Sequence, residues 1–170
     1  MVGFMGTGKT EVAQALAGQL RWSWVDTDQW IERATDKTVA RIFAEDGELV
    51  FRKWETRVLR ELACETEPRV IATGGGIVLA EVNWPLLRAL GDVAALTAEA
   101  KEIFRRVEKA DTRPLLAGSS EEVRTRVQDL LERRRNAYAQ ADATFATDGV
   151  TPAEVAENIL RWREARGCGV

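Results

Sequence analysis

Eight consecutive residues, Gly3-Phe4-Met5-Gly6-Thr7-Gly8-Lys9-Thr10, set the first chemical constraint on this 170-residue chain. Two glycines frame the turn, a lysine and a threonine follow, and an amphipathic segment begins at once. In such a loop the backbone N–H groups around Gly3, Gly6, Thr7 and Gly8 can approach phosphate oxygens, with the positive end of the following helix behind them. Lys9 then reaches the β and γ phosphates, and Thr10 offers its hydroxyl to Mg²⁺. Spelling and context together imply a bound nucleoside triphosphate and transfer of its terminal phosphoryl group.

Other constellations acquire meaning beside this loop. Asp26-Thr27-Asp28 falls where a second strand should end, which sets two carboxylates near the phosphates, one for Mg²⁺ and one for a substrate. Alone, the same triplet reads as a helix N-cap with an acidic first turn. Arg52 and Glu55 lie one helical turn apart, so Glu55 can fix the guanidinium to clamp a carboxylate; alone, the pair is an ordinary surface salt bridge. Gly74-Gly75-Gly76 follows an apolar strand and either admits a small ligand against bare backbone or makes a plain turn. Arg113-Pro114-Leu115-Leu116 stands in a loop that can close over a nucleotide or stay solvated. Arg133-Arg134-Arg135 ends a charged helix, where cations suit the helix dipole and can also bind an anion.

What is missing narrows the chemistry. The chain has no His, which removes the commonest proton shuttle and zinc ligand and leaves acid–base work to carboxylates, lysine or the substrate. Cys64 and Cys168 lie far apart with no metal-ligand spacing, as expected of reduced thiols in a cytoplasmic protein. A net charge of −3, from 24 basic and 27 acidic residues, gives no footprint for nucleic acid or an anionic membrane. No apolar run reaches the roughly 20 residues of a membrane span. The six tryptophans show no stacking pattern and are expected in core and pocket packing.

The elements that must position these residues are legible from periodicity. Val12, Ala13, Leu16, Ala17 and Leu20 recur at helical spacing, and a short strand follows from Trp22 to Val25. A helix is expected from about Glu48 to Cys64, with Leu49, Phe51, Val58, Leu59 and Leu62 among its apolar positions, then a strand from Val70 to Thr73. Helices near 81–90 and 99–109 flank a strand at 93–96, and residues 112–120 read as a loop. A helix from about 120 to 140, a small strand at 143–146 and a helix opened by Pro152 complete the chain. This alternation within 170 residues predicts one α/β domain, a parallel sheet covered on both faces, with ligands at the carboxyl ends of the strands.

In order, GFMGTGKT, DTD, IFAEDGELVFRKWE, TGGG, RPLL and the Arg-rich segment before Tyr138 resemble shikimate kinase over nearly the whole chain. The resemblance implies a three-layer α/β/α P-loop NTPase fold with a five-stranded parallel sheet, a helical substrate-binding region at about 29–60 and a lid at about 108–122. It implies ATP-dependent phosphorylation of the 3-hydroxyl of shikimate by a cytoplasmic monomer that uses Mg²⁺. By the same resemblance Lys9 and Thr10 handle phosphates and metal, Asp26 holds the metal through water, and Asp28 is the candidate base. Arg52, oriented by Glu55, and Arg134 bind the substrate carboxylate, Gly74, Gly75 and Gly76 line the pocket, and Arg113 is the lid arginine. Arg106 and the loop at Pro152 fall against the adenine. Asn136 stands where the family usually has proline, and Arg133 or Arg135 are alternatives to Arg134.

Only Met1 and Val2 precede Gly3, whereas a strand usually has roughly 5–6 residues, so a first strand continued upstream is expected. Two rivals share the phosphate loop: another small-molecule kinase of the same group, such as a gluconate kinase, and a nucleotide-binding protein without turnover.

Overall fold

The computed structural model describes residues 1–108 and 120–167. Five strands alternate with helices. These are β1 (Val2–Gly3), α1 (Lys9–Leu20), β2 (Ser23–Asp26), α2 (Thr27–Thr35), α3 (Val39–Glu45), α4 (Glu48–Ala63), β3 (Arg69–Ala72), α5 (Asn83–Ala89), β4 (Ala94–Thr97), α6 (Ala100–Glu108), α7 (Ser120–Tyr138), β5 (Ala143–Ala146) and α8 (Pro152–Ala165). A short 3-10 turn, Ile77–Leu79, precedes α5.

All recorded strand pairs are parallel. They form a three-stranded ladder, β1-β4-β5, and a two-stranded one, β2-β3. The expected single five-stranded sheet is thus seen as two ladders, and the reason is the shortness of β1. Met1 nevertheless joins them: its amino group donates to Ile71 O at 2.5 Å, and Thr73 N donates to Met1 O at 3.1 Å. Flanking bonds of this kind are the parallel-ladder pattern for Met1 opposite Ala72, giving the spatial order β2-β3-β1-β4-β5.

Helices cover both faces. On one, α1 buries Val12, Ala13, Leu16, Ala17 and Leu20 together with Val155, Ala156 and Ile159 of α8. On the other, Leu59 of α4, Trp84 and Leu87 of α5, Ile103, Phe104 and Val107 of α6, and Val123, Val127 and Tyr138 of α7 pack with Val2, Phe4 and Ala95. A third cluster, Ile31, Ile42, Phe51, Val58 and Leu62, binds α2 and α3 to α4. This is the helical region expected near 29–60. Leu49 departs from expectation: it is 80% exposed, because the buried stripe of α4 runs through Phe51, Glu55, Val58, Leu59 and Leu62 and leaves Leu49 on the outer face.

The ends of the elements explain where the chain turns. Asp26 caps α2, accepting from Asp28 N at 3.0 Å and Gln29 N at 3.3 Å. Thr151 and Glu154 form a reciprocal capping box with Pro152 at the first turn of α8. By contrast, α1 starts at Gly8 with no side-chain cap, so its first N–H groups face the phosphate loop. Among the described residues no helix is long and apolar enough to cross a membrane.

Candidate active site

Gly6 and Gly8 hold φ values of 78° and 81°, the left-handed conformation that bends the loop over the start of α1. Thr7 is buried and its hydroxyl donates to Phe4 O at 2.8 Å, which fixes the loop from within. The Lys9 ammonium donates to the same carbonyl at 2.9 Å, so it arches across the loop that an anion would enter.

Thr10 Oγ1 donates to Asp26 Oδ2 at 2.7 Å. Asp26 therefore caps α2 with one oxygen, as one reading of the sequence expects, and holds Thr10 with the other. Among the described residues no group of three or more His, Cys, Asp or Glu could hold a metal ion by itself. The hydroxyl and carboxylate present fit Mg²⁺, which prefers oxygen donors and is commonly bound by one or two protein groups together with substrate phosphates.

Across the cleft, Arg52 is gripped from two sides. Its Nη1 donates to Glu55 Oε2 at 2.7 Å, and its Nη2 and Nε donate to Glu48 Oε1 at 2.8 and 3.2 Å. The Glu55 side chain is fully buried, and its Oε1 has no hydrogen-bond partner among the described residues. Burial drives the Glu55 pKa up to about 7, with Asp28 pushing the same way and Arg52 opposing. Burial works to lower the Arg52 pKa, but Glu55 and Glu48 together raise it. The two upward directions are compatible because one guanidinium serves two carboxylates and also lies 5.9 and 5.6 Å from the ring centres of Phe43 and Phe51.

The glycine triplet threads between these groups. A methyl at Gly74 would collide with the carboxylates of Asp28 and Glu55, and one at Gly76 with the Arg52 guanidinium. At Gly75 the crowding comes from the phosphate loop itself, with Gly3 O at 3.2 Å and Met5 N at 3.4 Å from the methyl position. Gly74 N donates to the buried Thr27 Oγ1 at 2.9 Å, and Gly75 O accepts from Tyr138 Oη at 2.6 Å and from Arg134 Nη1 at 3.4 Å. Room for side chains at the triplet is thus closed off by α2, α4 and the phosphate loop, so these glycines do more than make a plain turn.

Arg134 is 6% exposed and lies 5.4 Å from the ring centre of Phe4, whereas Arg133 and Arg135 are exposed. Lys9, Thr10, Asp26, Asp28, Arg52, Glu55, Gly74, Gly75, Gly76 and Arg134 all line one cleft of about 760 Å³. A second cleft, about 360 Å³, opens among Trp22, Trp162 and Arg163 and contains none of these residues.

Arg106 lies to the other side of the loop. It donates to Gly6 O at 3.1 Å, to Thr147 Oγ1 and O at 2.9 and 2.8 Å, and to Glu102 at 2.7 Å. It thereby ties the phosphate loop to the segment after β5. Pro152 is exposed at the start of α8. Arg113 lies outside the described residues, as does most of the expected lid.

Several participants were not anticipated. Glu48 stands four residues before Arg52, a spacing that could have identified it. Thr27, Thr147 and Phe4 carried no such signal, because each acts through a partner distant in sequence.

The family model described as shikimate kinase matches residues 5–164. Shikimate kinase of Gloeobacter violaceus is 45% identical over 167 residues, covering 98% of this chain and 92% of the relative. That of Pelotomaculum thermopropionicum is 43% identical over 162 residues, 95% of this chain and 92% of the relative. Shikimate kinase from Acinetobacter baumannii in complex with shikimate superposes with a TM-score of 0.92 at 34% identity, covering 99% of this chain and 93% of the other. The chain belongs to the shikimate kinase family.

Proposed function

We propose that this site transfers the γ-phosphoryl group of ATP to the 3-hydroxyl of shikimate, giving ADP and shikimate 3-phosphate. The observation that carries this reading is the placement of Gly74 and Gly76, which lets Asp28, Glu55 and Arg52 converge on a cleft shared with Lys9 and Thr10. An arginine and two carboxylates thus share a cleft with the phosphate loop, which supports this reading, and the Acinetobacter neighbour was solved with shikimate bound.

In this mechanism Arg52 and Arg134 bind the shikimate carboxylate, and Glu55 keeps Arg52 in orientation. Asp28 accepts the hydrogen bond of the 3-hydroxyl and takes its proton as the new oxygen–phosphorus bond forms. The bond between the γ-phosphorus and the β,γ-bridging oxygen breaks, and its electron pair leaves with ADP. Lys9 and the N–H groups at the start of α1 receive charge on the transferred group, which positions rather than attacks. Mg²⁺, held by Thr10 and through water by Asp26, would neutralise charge on the β and γ phosphates. Arg106 packs at the adenine, Pro152 borders it, and Arg113, which lies outside the described residues, is assigned to the transferred phosphoryl group. We read the chain as one domain that acts as a cytoplasmic monomer.

Coupled ADP release with ATP, Mg²⁺ and shikimate tests this. Activity is expected in the unaltered protein, with kcat collapsing in Asp28→Asn and the shikimate KM rising in Arg52→Ala. Equal rates in all three proteins would refute the site. ATP binding without shikimate-dependent ADP release would instead support a protein without turnover.

A further inference from the structure

Arg52 has two acidic partners, and only one of them is compatible with a bound substrate carboxylate. Glu55 is fully buried at Nη1, out of competition with anything that enters from the cleft. The Glu48 side chain is 61% exposed, while its Oε1 takes both Nη2 and Nε, the paired donors of one guanidinium edge. Those paired donors are what a carboxylate uses when arginine binds it with two parallel hydrogen bonds. Gly76 backbone closes against the guanidinium, and the Phe43 and Phe51 rings flank it, so an incoming anion has few other approaches.

We propose that Glu48 is an internal competitor for the substrate carboxylate, a removable anion that occupies the Arg52 clamp until shikimate displaces it. This rests on the assignment of Arg52 as the carboxylate ligand. Glu48 can leave cheaply: it is the first residue of α4, follows Gly47 at a φ of 85°, and its side chain is mostly exposed. In its absence from the clamp, Glu55 still holds Nη1, so the arginine stays aimed. The consequence is selectivity. Neutral polyols lack the charge to evict Glu48, whereas a carboxylate exchanges one ion pair for another and gains Arg134 in addition.

The test is Glu48→Gln, a substitution at an exposed position that keeps size and hydrogen-bonding capacity. The expected result is a fall in the shikimate KM of about two- to fivefold, the upper part of the range for exposed ion pairs in general, with kcat and the ATP KM unchanged. Shikimate methyl ester, which carries no charge, should bind the two proteins equally, and Glu48→Gln in an Arg52→Ala background should have no effect on either ligand. A raised shikimate KM would overturn the proposal by making Glu48 a positioning residue that holds Arg52 ready. An unchanged KM would overturn it by making the contact inconsequential. A merely structural role would move both ligands together. If the unaltered protein fails to phosphorylate shikimate, the functional assignment fails first; if it turns over normally and only the Glu48 results disagree, the competitor alone is wrong.

Discussion

Thr10 Oγ1 donates to Asp26 Oδ2 at 2.7 Å, which binds the last residue of the phosphate-loop motif to the last residue of β2. The other Asp26 oxygen caps α2, so the two duties of this side chain can be separated by substitution. Asp26→Asn keeps an efficient N-cap and should leave the melting temperature nearly unchanged, while the Mg²⁺ concentration for half-maximal activity rises about 10- to 100-fold, as for an outer-sphere partner. Asp26→Ala should lose the metal response and, in addition, about 1 kcal/mol of stability. Mg²⁺ titrations of the rate, paired with thermal melts, check both.

The glycine triplet should tolerate no methyl groups. Gly76→Ala drives a carbon into the Arg52 guanidinium, and Gly74→Ala into the Asp28 and Glu55 carboxylates. The first should act mainly on the shikimate KM and the second mainly on kcat, each lowering kcat/KM by about 10²-fold, the scale of an ångström-sized misplacement. Steady-state kinetics with far-ultraviolet circular dichroism as the folding control distinguish these effects from unfolding.

Three adjacent arginines differ sharply in surroundings. Arg134 is buried against Phe4 and Gly75, whereas Arg133 and Arg135 are exposed. Arg134→Ala should raise the shikimate KM at least tenfold, while Arg133→Ala and Arg135→Ala should stay within about twofold, as surface substitutions usually do. Comparison of the three KM values decides it.

Arg106 spans Gly6 and Thr147 with charged hydrogen bonds. Such bonds contribute about 1.5–3 kcal/mol each, so Arg106→Ala should raise the ATP KM by about tenfold or more and spare the shikimate KM. Isothermal titration with ADP gives an independent reading.

Glu55 predicts a pH dependence of stability. Burial lifts its pKa from the ordinary 4.5 to about 7 in the folded chain. A raised folded pKa means the stabilisation is fully present below about pH 4.5 and is lost as pH rises through about 7. Relative to Glu55→Gln, which does not titrate, the unaltered protein should therefore lose stability between those values. Urea unfolding at pH 5 and pH 8 measures the difference; a difference that widens in favour of the unaltered protein toward pH 8 would contradict the sign.

Periodicity served best where one buried face decides the element. The stripe of α1 and the strand at 143–146 were legible because packing on a single side leaves a repeat in the sequence. Leu49 misled because an apolar residue at roughly helical spacing need not lie on the buried face. The split of the sheet into two ladders follows from the two-residue length of β1, which was legible from the position of Gly3 and not from periodicity. In the site, helical spacing predicted the contact of Arg52 with Glu55, though not its burial, and would have predicted that with Glu48. It could not identify Thr27, Thr147 or Phe4, whose partners Gly74, Arg106 and Arg134 arrive from other elements. The separation of Arg134 from its neighbours likewise needed burial, which only the assembled helix supplies.

Gly75 gives its carbonyl to Tyr138 and Arg134, while a methyl added to its α-carbon would press on the backbone of Gly3 and Met5. Gly75 thus lies between the phosphate loop on one side and α7 on the other. Whatever displacement one ligand causes there changes the affinity for the other by a factor that thermodynamics makes identical in both directions. Coupling between the two substrates through this contact would need no moving domain, only the width of one residue.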